Sequence, residues 1–192
     1  MSNTICMRLY QKIITGGLLV AGLAGLIGCK ESSNQQKNNI PTTSDGASIV
    51  SADFNKDGYS DLMLCDGRYN SPIQLMLGNG DGGYNIRKLE VTTSDRTSMV
   101  AGDFNGDGNT DVLLCDGRYN SPIQLLVNDG RGNFSARKYE GITTADNTAL
   151  TTSDFDKDGD LDAVLQDGRY SSPLKLLRND GRGNFSVENL LK

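Results

Sequence analysis

The sequence predicts an all-β fold of three propeller-type blades with four strands each. An acidic, glycine-containing stretch occurs three times, beginning at Asp53, Asp103 and Asp154, so the repeats are offset by 50 and 51 residues. Each repeat contains four β-type runs in which apolar residues alternate or cluster, as strands with a buried face require. A period near 50 residues with four strands per unit is typical of propeller blades.

We assign the repeats to residues 47–96, 97–147 and 148–192, and we expect no helix in them. Gly/Asn/Asp-rich turns separate the last two runs of each repeat and end in an aromatic residue. The expected strands are 47–53, 61–66, 72–78 and 84–91, then 97–103, 111–116, 122–128 and 134–141, and finally 148–154, 162–167, 173–179 and 185–190. The aromatic residues of the acidic loops and of these turns are expected in the core: Phe54, Phe104, Phe155, Tyr84, Phe134 and Phe185.

The spacing of each acidic loop fits a hard cation. Oxygen-bearing side chains occupy positions 1, 3, 5 and 9, and glycine occupies position 6, where a sharp bend needs positive φ. Ca²⁺ takes six to eight oxygen ligands at about 2.3–2.6 Å, so a short loop must turn several carboxylates onto one point. With the backbone carbonyl of position 7, the predicted ligands are Asp53, Asn55, Asp57, Tyr59 and Asp61, then Asp103, Asn105, Asp107, Asn109 and Asp111, and finally Asp154, Asp156, Asp158, Asp160 and Asp162.

We therefore expect up to three Ca²⁺, with the third and most charged loop binding most tightly. The alternative for any single loop is an ordinary turn, because Asp, Asn and Gly all favour turns. An EF-hand needs a glutamate at position 12 and flanking helices, whereas position 12 is Leu64, Leu114 and Leu165. Dockerin-type loops are excluded for the same reason.

The N-terminus predicts export and lipid anchoring. The apolar run 13–28 follows two basic residues and is short for a membrane span, so residues 1–28 are typical of a signal peptide; a short buried helix is the alternative. The run's ending resembles a bacterial lipobox, which makes Cys29 the lipidated first residue of the mature protein. Residues 29–46 are polar without apolar periodicity and predict a disordered tether. The expected location is the bacterial envelope, at the outer membrane or cell surface.

The composition narrows the functional classes. The 192 residues include 19 Lys+Arg, 24 Asp+Glu and no histidine, for a formal charge of −5. We expect no nucleic-acid partner, because there is no basic footprint. Without histidine the chain lacks the commonest general base, so we assign no catalytic residue.

Two cysteines remain after the leader and Cys29. Cys65 and Cys115 occupy the same position in adjacent repeats, where the third repeat has Gln166. A disulfide needs a Cα separation of about 4.4–6.8 Å, and equivalent positions in neighbouring repeats can lie farther apart. We expect two buried thiols at strand ends, with a disulfide as the alternative.

The repeated pattern D-F-[DN]-x-D-G-x-x-D-[LV], an apolar strand, and then N-D-G-x-G-x-F in the second and third repeats resembles the FG-GAP/VCBS family, the blades of integrin-α-type β-propellers. The resemblance covers roughly residues 47–190 and implies that each loop binds Ca²⁺ between adjacent strands of a blade. Two departures matter. The Gly-Ala-Pro segment of the family is replaced by Ser-Pro at 71–72, 121–122 and 172–173, and there are three repeats where family propellers have about six or seven.

Three blades are too few to close an ordinary ring, which takes at least about four. The terminal units should therefore expose apolar surface and strand edges. A homodimer forming a six-bladed ring, a compact three-unit fold or a separate partner protein would each cover them. The expected architecture is thus a partial or oligomer-completed β-propeller.

A nearly invariant connection in each repeat carries Arg and Tyr, at residues 66–72, 116–122 and 167–173. Arg and Tyr on loops are typical of binding hot spots. The candidate ligand contacts are Arg68, Tyr69, Arg118, Tyr119, Arg169 and Tyr170. The alternative is that each Arg pairs with the nearby Asp66, Asp116 or Asp167 and that each Tyr caps a blade edge.

These observations favour a non-enzymatic, calcium-stabilised, lipid-anchored adhesion or binding module that recognises a protein or glycan ligand. A polysaccharide-active hydrolase or lyase, or the accessory propeller of one, is the second hypothesis. A structural subunit of an envelope assembly is the third.

Overall fold

In a computed structural model that describes residues 41–190, these residues form three four-stranded antiparallel sheets. The predicted leader (1–28), Cys29 and most of the predicted tether lie outside the described residues. Residues 41–190 contain no helix, and hence none long and apolar enough to cross a membrane.

Each sheet contains the four strands of one repeat in chain order. The first sheet comprises β1 (Ser48–Ala52), β2 (Asp61–Cys65), β3 (Ser71–Gly78) and β4 (Tyr84–Thr93). The second comprises β5 (Ser98–Gly102), β6 (Asp111–Cys115), β7 (Ser121–Asn128) and β8 (Phe134–Thr144). The third comprises β9 (Ala149–Ser153), β10 (Asp162–Gln166), β11 (Lys175–Asn179) and β12 (Phe185–Asn189). The predicted fold class is confirmed, with every expected strand present.

The sheets are successive blades whose first strands, β1, β5 and β9, lie beside one another. The central strand β6 shows why the sequence reads as a continuous apolar run. Val112 and Leu114 belong to the core between the first and second blades, whereas Leu113 and Cys115 belong to the core between the second and third. Because successive residues of a strand point to opposite faces, a blade with a neighbour on each side needs apolar residues at every position.

An edge-to-face aromatic pair closes each blade junction. The ring of Phe54 lies 5.5 Å from that of Phe134, and Phe104 pairs with Phe185 at 6.0 Å, centroid to centroid. Each pair joins the acidic loop of one blade to the turn of the next. The expected core packing is wrong for Phe155 and Tyr84, which are 43% and 39% exposed. Their partners would belong to a blade beyond either end of the series.

Residues 41–46 are part of the folded unit, although the sequence places them in the tether. The Ser44 N–H donates to the Asp66 carbonyl at 2.8 Å, and the Gly46 carbonyl accepts from the Arg96 N–H at 3.0 Å. The sequence 42–45 is Thr-Thr-Ser-Asp, identical to 92–95 ahead of the second blade. The folded unit therefore includes the last six residues of the predicted tether.

Cys65 and Cys115 end β2 and β6, are fully buried and carry free thiols. They belong to different core clusters. Burial raises the pKa of Cys65 to about 12 and raises that of Cys115 as well. The prediction of two buried thiols is confirmed, and the disulfide alternative is wrong.

Candidate functional site

Each acidic loop connects the first two strands of its blade. In the second blade, Gly102 of β5 pairs with Asp111 of β6, so position 9 lies opposite the residue before position 1. The same register pairs Ala52 with Asp61 and Ser153 with Asp162. The antiparallel hairpin therefore brings the first and last carboxylates of the nine-residue motif to the same end of the sheet.

Two residues with positive φ bend each loop. Position 6 is glycine as predicted, with φ of 84° at Gly58, and position 4 also has positive φ, at 59° for Lys56 and 65° for Lys157. The second loop has Gly106 there, with φ of 73°. A left-handed non-glycine residue is costly and usually reflects a constraint from its surroundings. The sequence analysis did not predict the positive φ at position 4. The glycine in the second copy is the one indication of it in the sequence.

The loop carboxylates accept hydrogen bonds from the loop backbone in a repeated pattern. Position 1 accepts from the N–H of position 6 and position 5 from that of position 7. In the first loop these bonds are Gly58 to Asp53 at 2.8 Å and Tyr59 to Asp57 at 2.9 Å. The equivalents are Gly108 to Asp103 at 2.8 Å, Asn109 to Asp107 at 2.8 Å, Gly159 to Asp154 at 3.1 Å and Asp160 to Asp158 at 3.0 Å. The loops are thus organised by their own acidic side chains.

The position 3 side chains differ between copies. Asn55 and Asn105 each donate from Nδ2 to the position 5 carboxylate, at 2.8 and 3.0 Å. In the third loop Asp156 instead forms an ion pair with Arg178 at 2.5 Å. Arg178 therefore offsets part of the additional charge on which tighter binding by the third loop was predicted.

The position 9 carboxylates are fully buried. Asp111 accepts from the Phe104 N–H at 3.3 Å and from the Asn128 N–H at 2.8 Å, so it joins its loop to the end of β7. Asp61 and Asp162 make the equivalent pair of bonds. Burial raises the pKa of Asp111 to about 6 against these two donors, and the charges of Asp107 and Asp103 reinforce the rise. A cation placed among the carboxylates would oppose this rise.

The third loop brings three carboxylates to one point. Oxygen atoms of Asp154, Asp156 and Asp162 all lie within 4.8 Å of one another. An all-oxygen donor set at this spacing suits a hard cation better than a transition metal, which favours nitrogen or sulfur ligands. The donor chemistry of all three loops fits the predicted type of ion.

The Arg-Tyr connections of adjacent blades contact one another in a repeated way. Arg118 pairs with Asp116 of its own blade at 3.4 Å, donates to Asn70 of the preceding blade at 2.9 Å and lies 5.3 Å from the centroid of Tyr69. Arg169 repeats these contacts with Asp167 at 3.0 Å, Asn120 at 3.1 Å and Tyr119 at 5.8 Å. A cation over an aromatic face at this distance is attractive.

Within the described part of the chain, the first arginine and the last tyrosine of this series do not contact each other's counterparts in a neighbouring blade. Arg68 pairs with Asp66 at 2.9 Å and donates to the carbonyl and hydroxyl of Thr42, at 3.2 and 3.0 Å. None of residues 41–190 forms a blade beyond Tyr170, which is fully exposed. Local Arg–Asp pairing is thus observed for all three arginines. Ligand contact by these arginines and by Tyr69, Tyr119 and Tyr170 stays a prediction.

The pKa values of the aspartates in the Arg–Asp pairs differ between the second and third blades. Burial disfavours the charged form of Asp167, but hydrogen bonds from Lys175, Arg169 and Ser172 outweigh this effect and lower its pKa to about 2. Lys175 reaches its carboxylate at 2.7 Å. Burial raises the pKa of Asp116 despite Arg118, and Gln124 stands in the second blade where the third has Lys175.

A buried amide spans each blade junction. Asn128 Nδ2 donates to the Phe54 carbonyl of the preceding blade at 2.8 Å and to the Thr110 carbonyl at 3.0 Å. Asn179 repeats this with Phe104 at 2.8 Å and Leu161 at 3.1 Å. The first blade has Gly78 there, and no blade precedes it among the described residues. The sequence analysis did not predict that this amide joins two blades. The sequence does indicate it, because the last two copies have asparagine at this position and the first has glycine.

The open face of the third blade carries charged residues where the other blades pack against a neighbour. Leu77 and Val127 contact the two cores, and the third copy has Arg178 at that position. Arg87 and Arg137 donate to the turn of the following blade, and the third copy has Glu188. Arg178 pairs with Glu188 at 2.7 Å. Terminal repeats with a polar outer face are typical of repeat proteins.

Four-stranded blades, acidic hairpin loops and blade-to-blade contacts of this kind define a β-propeller-type repeat protein. The FG-GAP-like repeat family profile matches residues 53–114 and 103–165, which together span more than half of the chain. The chain belongs to the FG-GAP-like repeat family. No curated protein matches it significantly.

Proposed function

We propose that the chain is a calcium-stabilised binding module, anchored by lipid to a bacterial envelope, that recognises a protein or glycan ligand and catalyses no reaction. The observation that supports it best is the convergence of Asp154, Asp156 and Asp162 within 4.8 Å, in a loop that is repeated twice more. Calcium binds the folded loops and not the unfolded chain. It therefore stabilises the fold by about 2.7 kcal/mol per site at a calcium concentration 100 times the dissociation constant.

Native mass spectrometry of the full-length chain in calcium-containing volatile buffer tests the metal. We expect three Ca²⁺ per chain. Asp158→Ala removes a position 5 ligand and should leave two. Asp146→Ala, at an exposed aspartate just before the third repeat and outside the loops, is the control and should retain three. A wild-type chain without bound calcium, or loss of all three ions in Asp158→Ala, would contradict independent calcium loops.

The anchor rests on residues 1–29, whose sequence carries the lipobox-like ending. Expression of the full-length chain in a bacterium fed with a labelled fatty acid tests it. Wild type and a Cys65→Ser control should incorporate the label, and Cys29→Ala should not. Labelling that persists in Cys29→Ala, or is absent from wild type, would rule out acylation at Cys29.

Of the three arrangements expected from the sequence, the compact three-blade unit is favoured by the residues that the first and third blades would bring to a new junction. A second copy added head to tail would bring Gly78 to a junction that elsewhere contains Asn128 or Asn179. It would also bring Glu188, in place of Arg87 or Arg137, towards the acceptor oxygens of a turn, which are a backbone carbonyl and asparagine side chains at the two existing junctions. The calcium-loaded full-length chain should therefore be a monomer by native mass spectrometry. A stable dimer would restore the six-bladed ring as the preferred arrangement.

A further inference from the structure

Each of the three Arg-Tyr connections places its tyrosine at the tip of a tight turn. The N–H of the serine two residues after the tyrosine donates to the carbonyl of the arginine, as Ser71 does to Arg68 at 3.2 Å. The residue after the tyrosine has positive φ, 55° at Asn70, 56° at Asn120 and 56° at Ser171. This combination is typical of a type II turn. The tyrosine is the first of the two central residues of that turn in all three blades.

These tyrosines are the most exposed large apolar side chains of the described residues. Tyr69 is 73% exposed, Tyr119 71% and Tyr170 100%. Arg118 and Arg169 lie near the rings of Tyr69 and Tyr119 and leave most of each ring in contact with water. Tyr170 has no such arginine among the described residues, so contact with the next blade does not explain a tyrosine there.

The chain enters the folded unit at the same end of the sheets as these turns. Thr42 accepts hydrogen bonds from Arg68 through its carbonyl at 3.2 Å and its hydroxyl at 3.0 Å. The Ser44 N–H donates to the Asp66 carbonyl at 2.8 Å. β2 runs from the acidic loop to the first Arg-Tyr connection, so the acidic loops lie at the opposite end of the sheets. We call the two ends the Arg-Tyr end and the acidic end.

The length of the preceding chain keeps the Arg-Tyr end near the proposed lipid. Residues 30–41 separate the proposed attachment at Cys29 from Thr42. A random coil of about twelve residues spans roughly 20 Å, whereas a folded unit of about 150 residues has a radius of gyration of about 15 Å and hence a width of about 40 Å. A membrane that holds the lipid is therefore closer to the Arg-Tyr end than to the acidic end. So short a tether gives an effective concentration in the millimolar range, so that weak contacts suffice.

The two ends of the sheets differ in charge. At the Arg-Tyr end each arginine is paired with the buried aspartate of its own connection. The exposed charges beside the connections include those of Asp45, Asp95, Arg96 and Asp146. The acidic end contains the carboxylates of all three loops. The Arg-Tyr end is therefore the less acidic of the two, and its exposed aspartates favour a zwitterionic over an anionic lipid surface.

We propose that the Arg-Tyr end docks on a zwitterionic lipid surface, with the rings of Tyr69, Tyr119 and Tyr170 at the level of the headgroups. Tyrosine is enriched at this level in membrane proteins, because its ring is apolar while its hydroxyl stays hydrated. The inference rests on the lipid anchor proposed above. It gives these tyrosines lipid as their partner, and a protein or glycan ligand then binds away from this end.

Hydroxyl-radical footprinting of the acylated protein, made from the full-length chain in a bacterium, tests the inference. Mass spectrometry measures the oxidation of each tyrosine on vesicles of phosphatidylethanolamine and phosphatidylcholine and in micelles of a non-ionic detergent, with calcium present in both. The tyrosines of the Arg-Tyr end should be oxidised about threefold more slowly on vesicles, because their rings lie among the headgroups. Tyr59 and Tyr84 are exposed at the acidic end, and as controls in the same molecule they should react equally in both.

Two variants test whether the rings act together. Tyr170→Ser removes one ring without disturbing the packing, because Tyr170 is fully exposed. It should bring the oxidation of Tyr69 and Tyr119 on vesicles towards that in micelles. Tyr59→Ser removes an exposed ring at the acidic end and should leave their protection unchanged.

Equal oxidation of the three tyrosines on vesicles and in micelles would overturn the proposal and leave a protein or glycan ligand as their partner. Equal protection of Tyr59 and Tyr84 would also overturn it, since neither end would then be preferred. Stronger protection on vesicles that contain anionic phosphatidylglycerol would contradict the zwitterionic surface.

The mass of the N-terminal peptide, measured on the same samples, separates this proposal from the lipid anchor. An acylated peptide without protection of the tyrosines would refute docking and leave the anchor intact. An unacylated peptide would refute the anchor and the docking together.

Discussion

Asn179→Ala should lower the free energy of unfolding by about 3 kcal/mol, because one buried amide connects two blades. Its Nδ2 donates to the Phe104 carbonyl at 2.8 Å and to the Leu161 carbonyl at 3.1 Å, and its Oδ1 accepts from the Gly183 N–H at 3.1 Å. The residue is 5% exposed, so water does not readily replace the amide. Each such hydrogen bond contributes about 1 kcal/mol net, and three are lost.

Urea unfolding at a fixed, saturating calcium concentration measures this change. For a domain of this size about 3 kcal/mol corresponds to a fall in Tm of roughly 6–12 °C. Asn128→Ala, the same position of the second blade, should give a similar loss. Asn85→Ala in β4 removes an exposed amide and should change the free energy of unfolding by less than about 0.5 kcal/mol.

A loss below about 1 kcal/mol in both junction variants would refute the reasoning, since it would mean that the amides do not couple the blades. Calcium stoichiometry should remain at three in both variants. Loss of an ion would indicate that the destabilisation comes from a disturbed metal loop, through the neighbouring Asp162 or Asp111, rather than from the junction.

Three other perturbations have defined outcomes. Removing calcium with EDTA should lower Tm, by the equivalent of about 2.7 kcal/mol for each site that was 100-fold saturated; an unchanged Tm would contradict structural calcium. The pKa of Asp167 is lowered from 3.8 to about 2, so it contributes about 2 kcal/mol of stability that is present above pH 4 and lost as the pH falls towards 2. The stability difference between wild type and Asp167→Asn, measured by urea unfolding, should shrink over that interval, and a constant difference would disprove the assignment. Gln124→Lys should lower the pKa of Asp116, observed as the carboxyl carbon shift in an NMR titration, because the third blade shows that a lysine there reaches the equivalent carboxylate; an unchanged or higher value would contradict it.

Lipid attachment at Cys29, the ligand and the oligomeric state remain proposals with the tests given above.

The sequence by itself determined the strands and the acidic loops, because both depend on neighbours along the chain. The apolar positions of β2, β6 and β10 predict the central strands, and the nine-residue motif has all its candidate metal ligands within one hairpin. Asp103 and Asp111 lie at the same end of the sheet because the strands on either side of them pair, and that pairing is specified by the repeat itself.

Only the tertiary structure decided the roles that depend on the next blade. Phe104 is buried and Phe155 exposed at the same repeat position, because a third blade follows the second and none of the described residues supplies a fourth. Asn179 bonds Phe104 across 75 residues of chain. Such differences between copies are present in the sequence, but their meaning depends on which side chains face each other across a junction, and packing between distant segments determines that.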